Sequence, residues 1–340
     1  MKTWVLDGGL GLANLSLTER PDPRPGPGEV RLEMAAASLN FRDTLVVNGL
    51  YMRDQPLPLV PLSDGAGRVA ELGEGVTGLA EGELVTPVFN QGWTAGAPSF
   101  ARLSRSLGAG RTQGVAAEQL VVPAAAVVRA PRGYTAEQAA CLPCAGVTAW
   151  AALAGELPVT PGATVLIQGT GGVSLFALQI ARALGCRVVA TTSSPEKAET
   201  LRSLGASHVI DYRQTPDWGG AVRAWAGGEG VDQIIEVGGA GTLEQSLKAI
   251  RIGGTIAVIG VLSGAEVKLS VPHMLMGHVR LQGITVGSRD HHADFVRFIE
   301  NSGLTPVIDR RFAFDDLPGA LQHMIARQHV GKITLGLGAG

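Results

Sequence analysis

The chain has 340 residues, enough for two domains with cores of their own at roughly 100 to 200 residues each. Apolar residues make up 45% and charged residues 17%, and 28 Lys and Arg stand against 30 Asp and Glu, so the basic excess that grips a phosphate backbone is missing and a dedicated nucleic-acid binder is disfavoured. The 47 glycines and 19 prolines lie among regularly spaced apolar runs, the pattern of a turn-rich globular protein.

Met1 to Leu10 carries Lys2 and Asp7 where an export signal needs an unbroken apolar stretch. Three cysteines (Cys141, Cys144, Cys186) are too few for a disulfide framework and fit a reducing compartment, so a cytoplasmic location is expected. To about Pro131 the chain reads as short strands between Gly and Pro: Gly28 to Met34, Gly67 to Leu72, Leu84 to Val88, Gln119 to Val122 and Val127 to Ala130. That spacing predicts a mostly antiparallel, barrel-like domain. Asn90 to Gly114 has no clear period and reads as a long loop, either functional or a tolerated surface insertion. Leu157 to Ala181 is uncharged for 25 residues, but its prolines and glycines break it into strand, turn and helix, so no membrane span is expected.

From Pro161 strands alternate with helices: strand Thr164 to Gln168, helix Val173 to Leu184, strand Arg187 to Thr192, helix Pro195 to Leu204 and strand His208 to Asp211. Helix Trp218 to Ala226, strand Asp232 to Val237, helix Leu243 to Ile250, strand Thr255 to Val261 and an edge strand Val279 to Val286 follow. This alternation predicts an α/β, doubly wound parallel sheet. The segments after Asp290 return to the first domain.

Val165, Leu166 and Ile167 run straight into Gly169, Thr170, Gly171, Gly172 and Val173 and then an apolar helix. A dinucleotide needs this context: the backbone must approach the pyrophosphate, and a helix N-terminus must face it. Ser174 replaces the third glycine with another small residue. An NAD-preferring site places a carboxylate on the ribose roughly 20 residues on. Here Gly169 through Pro195 holds no Asp or Glu, and the second strand ends in Thr191, Thr192 and Ser193. Lys197, in the first turn of the next helix, opposes the helix dipole, and a bound 2′-phosphate is a reason to keep it there; a solvated surface lysine is the plain alternative. The expected cofactor is NADP(H), preferred over NAD(H).

These residues resemble the medium-chain dehydrogenase/reductase superfamily, in its zinc-independent, alcohol dehydrogenase-like and quinone oxidoreductase-like branch. The resemblance spans nearly the whole chain and rests on Gly28-Glu29-Val30, Ser38 to Asp43, Ala139 to Trp150, Val165 to Val173, Leu204 to Arg213 and Gly331-Lys332-Ile333. It implies a GroES-like mostly antiparallel β-barrel catalytic domain from residues 1–145 and 287–340, a Rossmann domain over 146–286, and a cofactor in the cleft. By the same resemblance Lys197 and Tyr212, fifteen residues apart, flank a 2′-phosphate together with Ser193. Thr148 is implied to contact the nicotinamide ribose, unless its hydroxyl bonds its own helix. Ser288 and Arg289 match a position near the cofactor phosphates, with Lys332 and Arg327 as weaker candidates.

Zinc-dependent relatives carry three ligands around a metal with one open position. The corresponding residues here are Asn40, Ser63 and Cys144, and one ligand cannot hold zinc, so no metal is expected. Without that Lewis acid the substrate must need less help, as an enone or quinone does, and hydrogen-bond donors can support hydride delivery. By resemblance Asn40, Asp43 and Tyr51 face the nicotinamide. Asn40 and Tyr51 are the expected donors, with Asp43 orienting them; alternatively Asn40 and Asp43 only begin a helix.

Val237, Gly238 and Gly260 end later parallel strands, where such sheets bind ligands, or simply turn the chain. His291 and His292 are expected on the surface, and Trp93 either in the substrate cleft or packing its loop. The Val279 to Val286 edge would expose unpaired backbone, and family members pair this edge across a two-fold axis, which predicts a homodimer. The expected activity is NADPH-dependent reduction of an activated alkene, quinone or related carbonyl. Metal-free alcohol dehydrogenase chemistry and a non-catalytic NADPH-binding sensor are the alternatives.

Overall fold

The computed structural model describes residues 1–52 and 54–337. The chain forms two compact units: Met1–Val147 with the chain from Val286 onward, and Thr148–Thr285.

The first unit opens with β1 (Lys2–Leu6), paired antiparallel with β2 (Leu15–Glu19). This hairpin was not foreseen, because its alternation is short and interrupted by the 7–14 loop. Then come β3 (Glu29–Leu39), α1 (Phe41–Val47), β4 (Asp64–Leu72), β5 (Leu84–Pro87), α2 (Phe100–Leu103), β6 (Gln119–Pro123), β7 (Val127–Arg129) and α3 (Ala136–Ala140). β3 runs five residues past Met34, since Ala35, Ala36 and Ala37 continue the strand between β4 and the C-terminal strand. The 90–114 stretch is not featureless: it contains α2, and Trp93, Leu107 and Ala109 are buried. Trp93 packs this loop, its indole N–H donating to the Gly96 carbonyl at 2.8 Å.

After the first residue of α4 (Val147–Ala154) the chain enters the second unit and runs β8 (Thr164–Gln168), α5 (Gly172–Ala183), β9 (Arg187–Thr192), α6 (Pro195–Ser203), β10 (His208–Asp211) and α7 (Trp218–Trp225). It continues through β11 (Val231–Glu236), α8 (Leu243–Ala249), β12 (Ile250–Val258), α9 (Val271–Gly277) and β13 (Arg280–Gly283). Among the described residues its sheet has six parallel strands in the order β10-β9-β8-β11-β12-β13. The chain winds outward from β8 to one edge and then from β11 to the other, so the switch point lies between β8 and β11, whose carboxyl ends are where such sheets bind ligands. β8 is buried at every position, as a central parallel strand must be.

The edge strand is half as long as expected. It pairs with β12 only over Arg280–Gly283, because β12 itself ends at Val258, opposite Gly283. α9, which was not anticipated, has no buried residue.

Back in the first unit, α10 (Arg289–Ser302), β14 (Ile308–Ala313), α11 (Leu317–Ile325) and β15 (Lys332–Gly336) complete a sheet ordered β14-β15-β3-β4-β5-β7, with β6 on β3. Its core joins Leu32, Leu39, Leu59 and Leu62 to Leu317, Leu321, Ile333 and Leu335, so both ends of the sequence share one apolar interior. His292 is not a surface residue. It is buried in α10 with its Nε2 3.4 Å from the Thr86 hydroxyl, and burial, beside Arg289, pushes its imidazole down to about 3, so it stays neutral.

Among the described residues no helix is long and apolar enough to cross a membrane.

Candidate functional site

In the second unit the glycine turn follows β8. Gly169 has φ of 69°, a conformation that a side chain would strain, and its N–H donates to Thr191 O at 2.7 Å. Gly171 is the N-cap of α5 with ordinary extended backbone and no side-chain cap, and a Cβ built on it would meet nothing within 4 Å. The turn therefore presents open space at the end of a twelve-residue helix whose first amides, those of Gly172, Val173 and Ser174, have no partner inside the helix. This fits a pyrophosphate, which accepts such hydrogen bonds and is favoured by the dipole. Thr170 is buried, and Ser174, in the place of the third glycine, donates to Gln168 O at 2.7 Å and ties helix to strand.

Thr192 and Asp211 are paired neighbours in β9 and β10, so Ser193 and Tyr212 follow adjacent strand ends. Ser194 caps α6 by accepting from the Lys197 N–H, which sets Lys197 in the first turn; Lys197 is half-buried and Tyr212 is 42% exposed. Glu196 stands in the same turn and accepts from the Ser194 hydroxyl at 2.5 Å, a carboxylate that a 2′-phosphate would have to tolerate. Thr148 is buried in the first turn of α4. Val237 follows β11, and a Cβ on Gly260 would lie 2.2 Å from Val237 O, so glycine there permits the close approach of the two segments.

In the first unit a buried polar cluster lies around Asn40. The Lys332 ammonium, 2% exposed, donates to Leu39 O at 2.7 Å and to Asn40 Oδ1 at 2.6 Å, and lies 3.9 Å from Asp64 Oδ2. Asn40 Nδ2 donates to Ser63 Oγ at 3.3 Å, Ser63 Oγ to Asp64 Oδ1 at 2.8 Å, and the Cys144 N–H to Asp64 Oδ2 at 3.1 Å. Burial pushes the Asp64 carboxyl up from its ordinary value, against the pull of Lys332. The expectation that Lys332 contacts cofactor phosphate is thereby corrected: its donors are used inside this cluster. Asp43 does not orient Tyr51. Its Oδ2 accepts from the Asn40 N–H at 2.8 Å and so fixes the start of α1. Tyr51 is 45% exposed and lies against Arg42, whose guanidinium sits 5.0 Å from its ring and 4.8 Å from that of Phe89. Arg42 also donates to Leu107 O and Ser106 Oγ, joining α1 to the 90–114 stretch. Ser288 spends its hydroxyl capping α10, and Arg289 donates its N–H to Trp93 O and pairs its exposed side chain with Asp290. Arg327 has its guanidinium over Phe41.

Burial pushes the Asp43 carboxyl up to about 6, although Arg42 lies 3.6 Å away. Between pH about 4 and 6 the folded chain thus holds a proton that the unfolded chain releases. The resulting stability is full below that window and is lost as pH rises through it, about 3 kcal/mol in all. Asp43→Asn is expected to flatten the melting temperature against pH over this range relative to the parent; an unchanged difference between pH 4 and 6 would assign the proton elsewhere.

Two family models match the chain. The alcohol dehydrogenase GroES-like domain family covers residues 26–132, and the zinc-binding dehydrogenase family covers residues 172–301. The zinc-type alcohol dehydrogenase-like protein of Schizosaccharomyces pombe is 41% identical over 91% of each chain. The chain belongs to the medium-chain dehydrogenase/reductase family. The acryloyl-coenzyme A reductase of Metallosphaera sedula is 27% identical to this dehydrogenase/reductase over 93% of its length and 95% of the relative's. A solved NAD-dependent alcohol dehydrogenase is 33% identical with a TM-score of 0.91, covering 99% of this chain and all of that one. A mycobacterial quinone oxidoreductase (30% identical, TM-score 0.81, 99% of each chain) and a mycobacterial protein solved with NADPH (29%, TM-score 0.83, 99% and 100%) share the fold. This member is an NAD(P)H-dependent oxidoreductase with a GroES-like and a Rossmann domain.

Zinc does not fit the residues of this dehydrogenase/reductase. Among the described residues no three His, Cys, Asp or Glu side chains group to hold a metal ion. Burial pushes the Cys144 thiol up from its ordinary value, and the Lys332 ammonium already occupies Asn40 Oδ1 beside Asp64. A divalent cation would compete with that ammonium for the same oxygens. Cys141 is a buried helix thiol that donates to Glu137 O, raised by burial to about 12.

Residues that the sequence reading passed over include Asp64, Arg42, Gln168 and Glu236. A charged residue at a strand end with only small or apolar residues beside it, Ser63 and Gly65 for Asp64 and Ile235 and Val237 for Glu236, is the signal that would have marked them.

Proposed function

We propose that this protein reduces a conjugated carbonyl compound, an activated alkene or a quinone, using NADPH and no catalytic metal. The observation that carries the reading is the cluster of Asn40, Ser63, Asp64 and Lys332, a hydrogen-bonded ion pair where zinc-dependent relatives hold metal ligands. A saturated carbonyl concentrates negative charge on one oxygen and profits most from a Lewis acid; a conjugated acceptor spreads the charge and needs only hydrogen-bond donors. The acryloyl-coenzyme A reductase and quinone oxidoreductase among the relatives support this substrate class.

NADPH, when bound, supplies the hydride. The backbone of Gly169, Thr170, Gly171, Gly172 and Val173 holds its pyrophosphate, Thr148, Val237 and Gly260 line the dinucleotide path, and Ser193, Lys197 and Tyr212 surround the 2′-phosphate. Lys332 donates to Asn40 Oδ1 and so fixes the amide, whose nitrogen gives one hydrogen to Ser63 Oγ and has a second for the substrate. Tyr51, with its ring half-exposed on Arg42, supplies the proton to the substrate. Asp43 keeps Asn40 in place at the head of α1.

The test follows absorbance of NADPH and, in parallel, NADH with metal-free protein against a quinone, an α,β-unsaturated ketone, a saturated ketone and an aldehyde. Turnover confined to the conjugated compounds, with NADPH bound tighter and Lys197→Ala narrowing that gap, is expected. Turnover of saturated carbonyls would put the alcohol dehydrogenase reading first, equal affinities in the parent would remove the 2′-phosphate assignment, and tight NADPH binding with no turnover would favour a sensor.

A second copy of the chain is the proposed partner, and the cytoplasm the proposed location. Among the described residues the β13 edge is unpaired on its outer side, and the adjacent α9 exposes Val271, Leu275 and Met276 at 75%, 69% and 74%. Such an edge with an apolar flank is an association surface. Sedimentation of the parent as a dimer and of Leu275→Asp as a monomer is the expected result; a monomeric parent would refute it.

A further inference from the structure

At the switch point of the second unit the two central strands end side by side. Ile167 pairs with Ile235, and the next residues, Gln168 and Glu236, are both buried, Glu236 with no exposed surface at all. A lone carboxylate in such a place would cost several kcal/mol. This one accepts five hydrogen bonds. Oε1 takes the N–H of Gly238 and of Gly239, each at 2.9 Å, and the Thr242 hydroxyl at 2.5 Å; Oε2 takes the Ser246 hydroxyl at 2.5 Å and the Gln168 amide at 2.7 Å. Gln168 Oε1 in turn accepts from the N–H of Val237 and of Gly238, each at 3.2 Å.

An ionised carboxylate can only accept, so its presence sets the direction of every bond in the cluster. Thr242 and Ser246 must donate to it, and Gln168 must turn its NH₂ toward it, which leaves Oε1 for the backbone of the next segment. The residues so arranged begin two loops. Gln168 leads into the glycine turn 169–172, and Glu236 leads into 237–242. Both lie at the carboxyl ends of the strands that flank the switch point.

We infer that Glu236 is a positioning residue for dinucleotide binding: its carboxylate, acting through Gln168, Thr242 and Ser246, holds both loops in the conformation that binds. The inference rests on the glycine-turn cradle and on neither the substrate nor the choice of NADPH over NADH.

The experiment titrates the full-length chain with NADPH and with NADH, following nucleotide fluorescence, alongside a melting curve for each variant. Glu236→Gln places a donor where only acceptors fit, and is expected to weaken both dinucleotides by the same factor, about 10- to 100-fold. Gln168→Glu sets two carboxylates together and should be similarly weak. The exchange E236Q/Q168E restores acceptors opposite donors and is expected to recover binding to within about threefold of the parent, which a merely structural loss would not do. Thr242→Val, at a partly buried position, should weaken both dinucleotides several-fold. Parental affinity in a folded E236Q, an exchange variant no tighter than E236Q, or a changed NADPH to NADH ratio would overturn the inference. If E236Q does not fold, T242V decides, and unchanged affinity for both dinucleotides overturns it. A failure of the NADPH assignment shows instead in the ratio of the parent protein, which none of these outcomes requires.

Discussion

Gly171→Leu is expected to abolish dinucleotide binding, by more than about 100-fold in Kd, while leaving the melting temperature within about one degree of the parent. The two halves of that result have separate causes. Gly171 has φ of −71° and ψ of 170°, which any residue adopts, and a Cβ there meets nothing within 4 Å, so the folded chain has no reason to resist a side chain. The same open space lies at the N-terminus of α5, where a pyrophosphate would accept from the backbone amides, and a leucine would occupy it. Titration with NADPH and NADH together with a thermal melt checks both halves. Unchanged affinity would show that the pyrophosphate lies elsewhere. A large loss of stability would show that the space is not open. Gly169→Ala is the instructive contrast, because φ of 69° makes it a backbone-strain variant that costs stability as well.

The second large effect concerns Lys332. Lys332→Met leaves the Asp64 carboxyl without its cation and Asn40 Oδ1 without a donor, both at buried positions. Removing one partner of a buried pair costs about 3 to 5 kcal/mol. For a unit of this size that is a fall in melting temperature on the order of 10 °C. Turnover should fall further than the loss of folded protein explains, since the Asn40 amide is then free to turn its oxygen outward. The double variant D64N/K332M removes both charges and is expected to regain most of the stability and little of the activity. A melting temperature for K332M within about two degrees of the parent would mean that Asp64 is already protonated in the fold, a state toward which its burial drives it.

Much of the second unit was legible because each signal is local. The bounds of β9 and β10 follow from short β-branched runs closed by Ser and Gly, and the cradle is a strand, a glycine turn and a helix within some twenty residues. Ser194 as N-cap and Pro195 at the first helical position are likewise readable from side-chain chemistry alone. Where the reading failed, the deciding contact is distant in sequence. Lys332 and Asn40 are separated by 292 positions, and nothing near either residue says that they touch. His292 lies among charged neighbours that suggest a solvent face, yet it is buried and its ring meets the Thr86 hydroxyl, 206 positions away. The edge strand is cut short where its partner β12 ends at Val258, which its own apolar run does not foretell.

The sequence by itself determined the α/β architecture, the alternation of strand and helix in the second unit and the strand, glycine turn and helix that follow one another at β8, because these depend on residue identity and on periods of two to four residues. Only the tertiary structure decided which polar groups share a charge. Asp64 meets Lys332 because β15 lies beside β3 and β3 beside β4, and Glu236 meets Gln168 because β11 lies beside β8. Strand order is set by the packing of the whole sheet, and a buried carboxylate can ionise only where that packing brings donors to it.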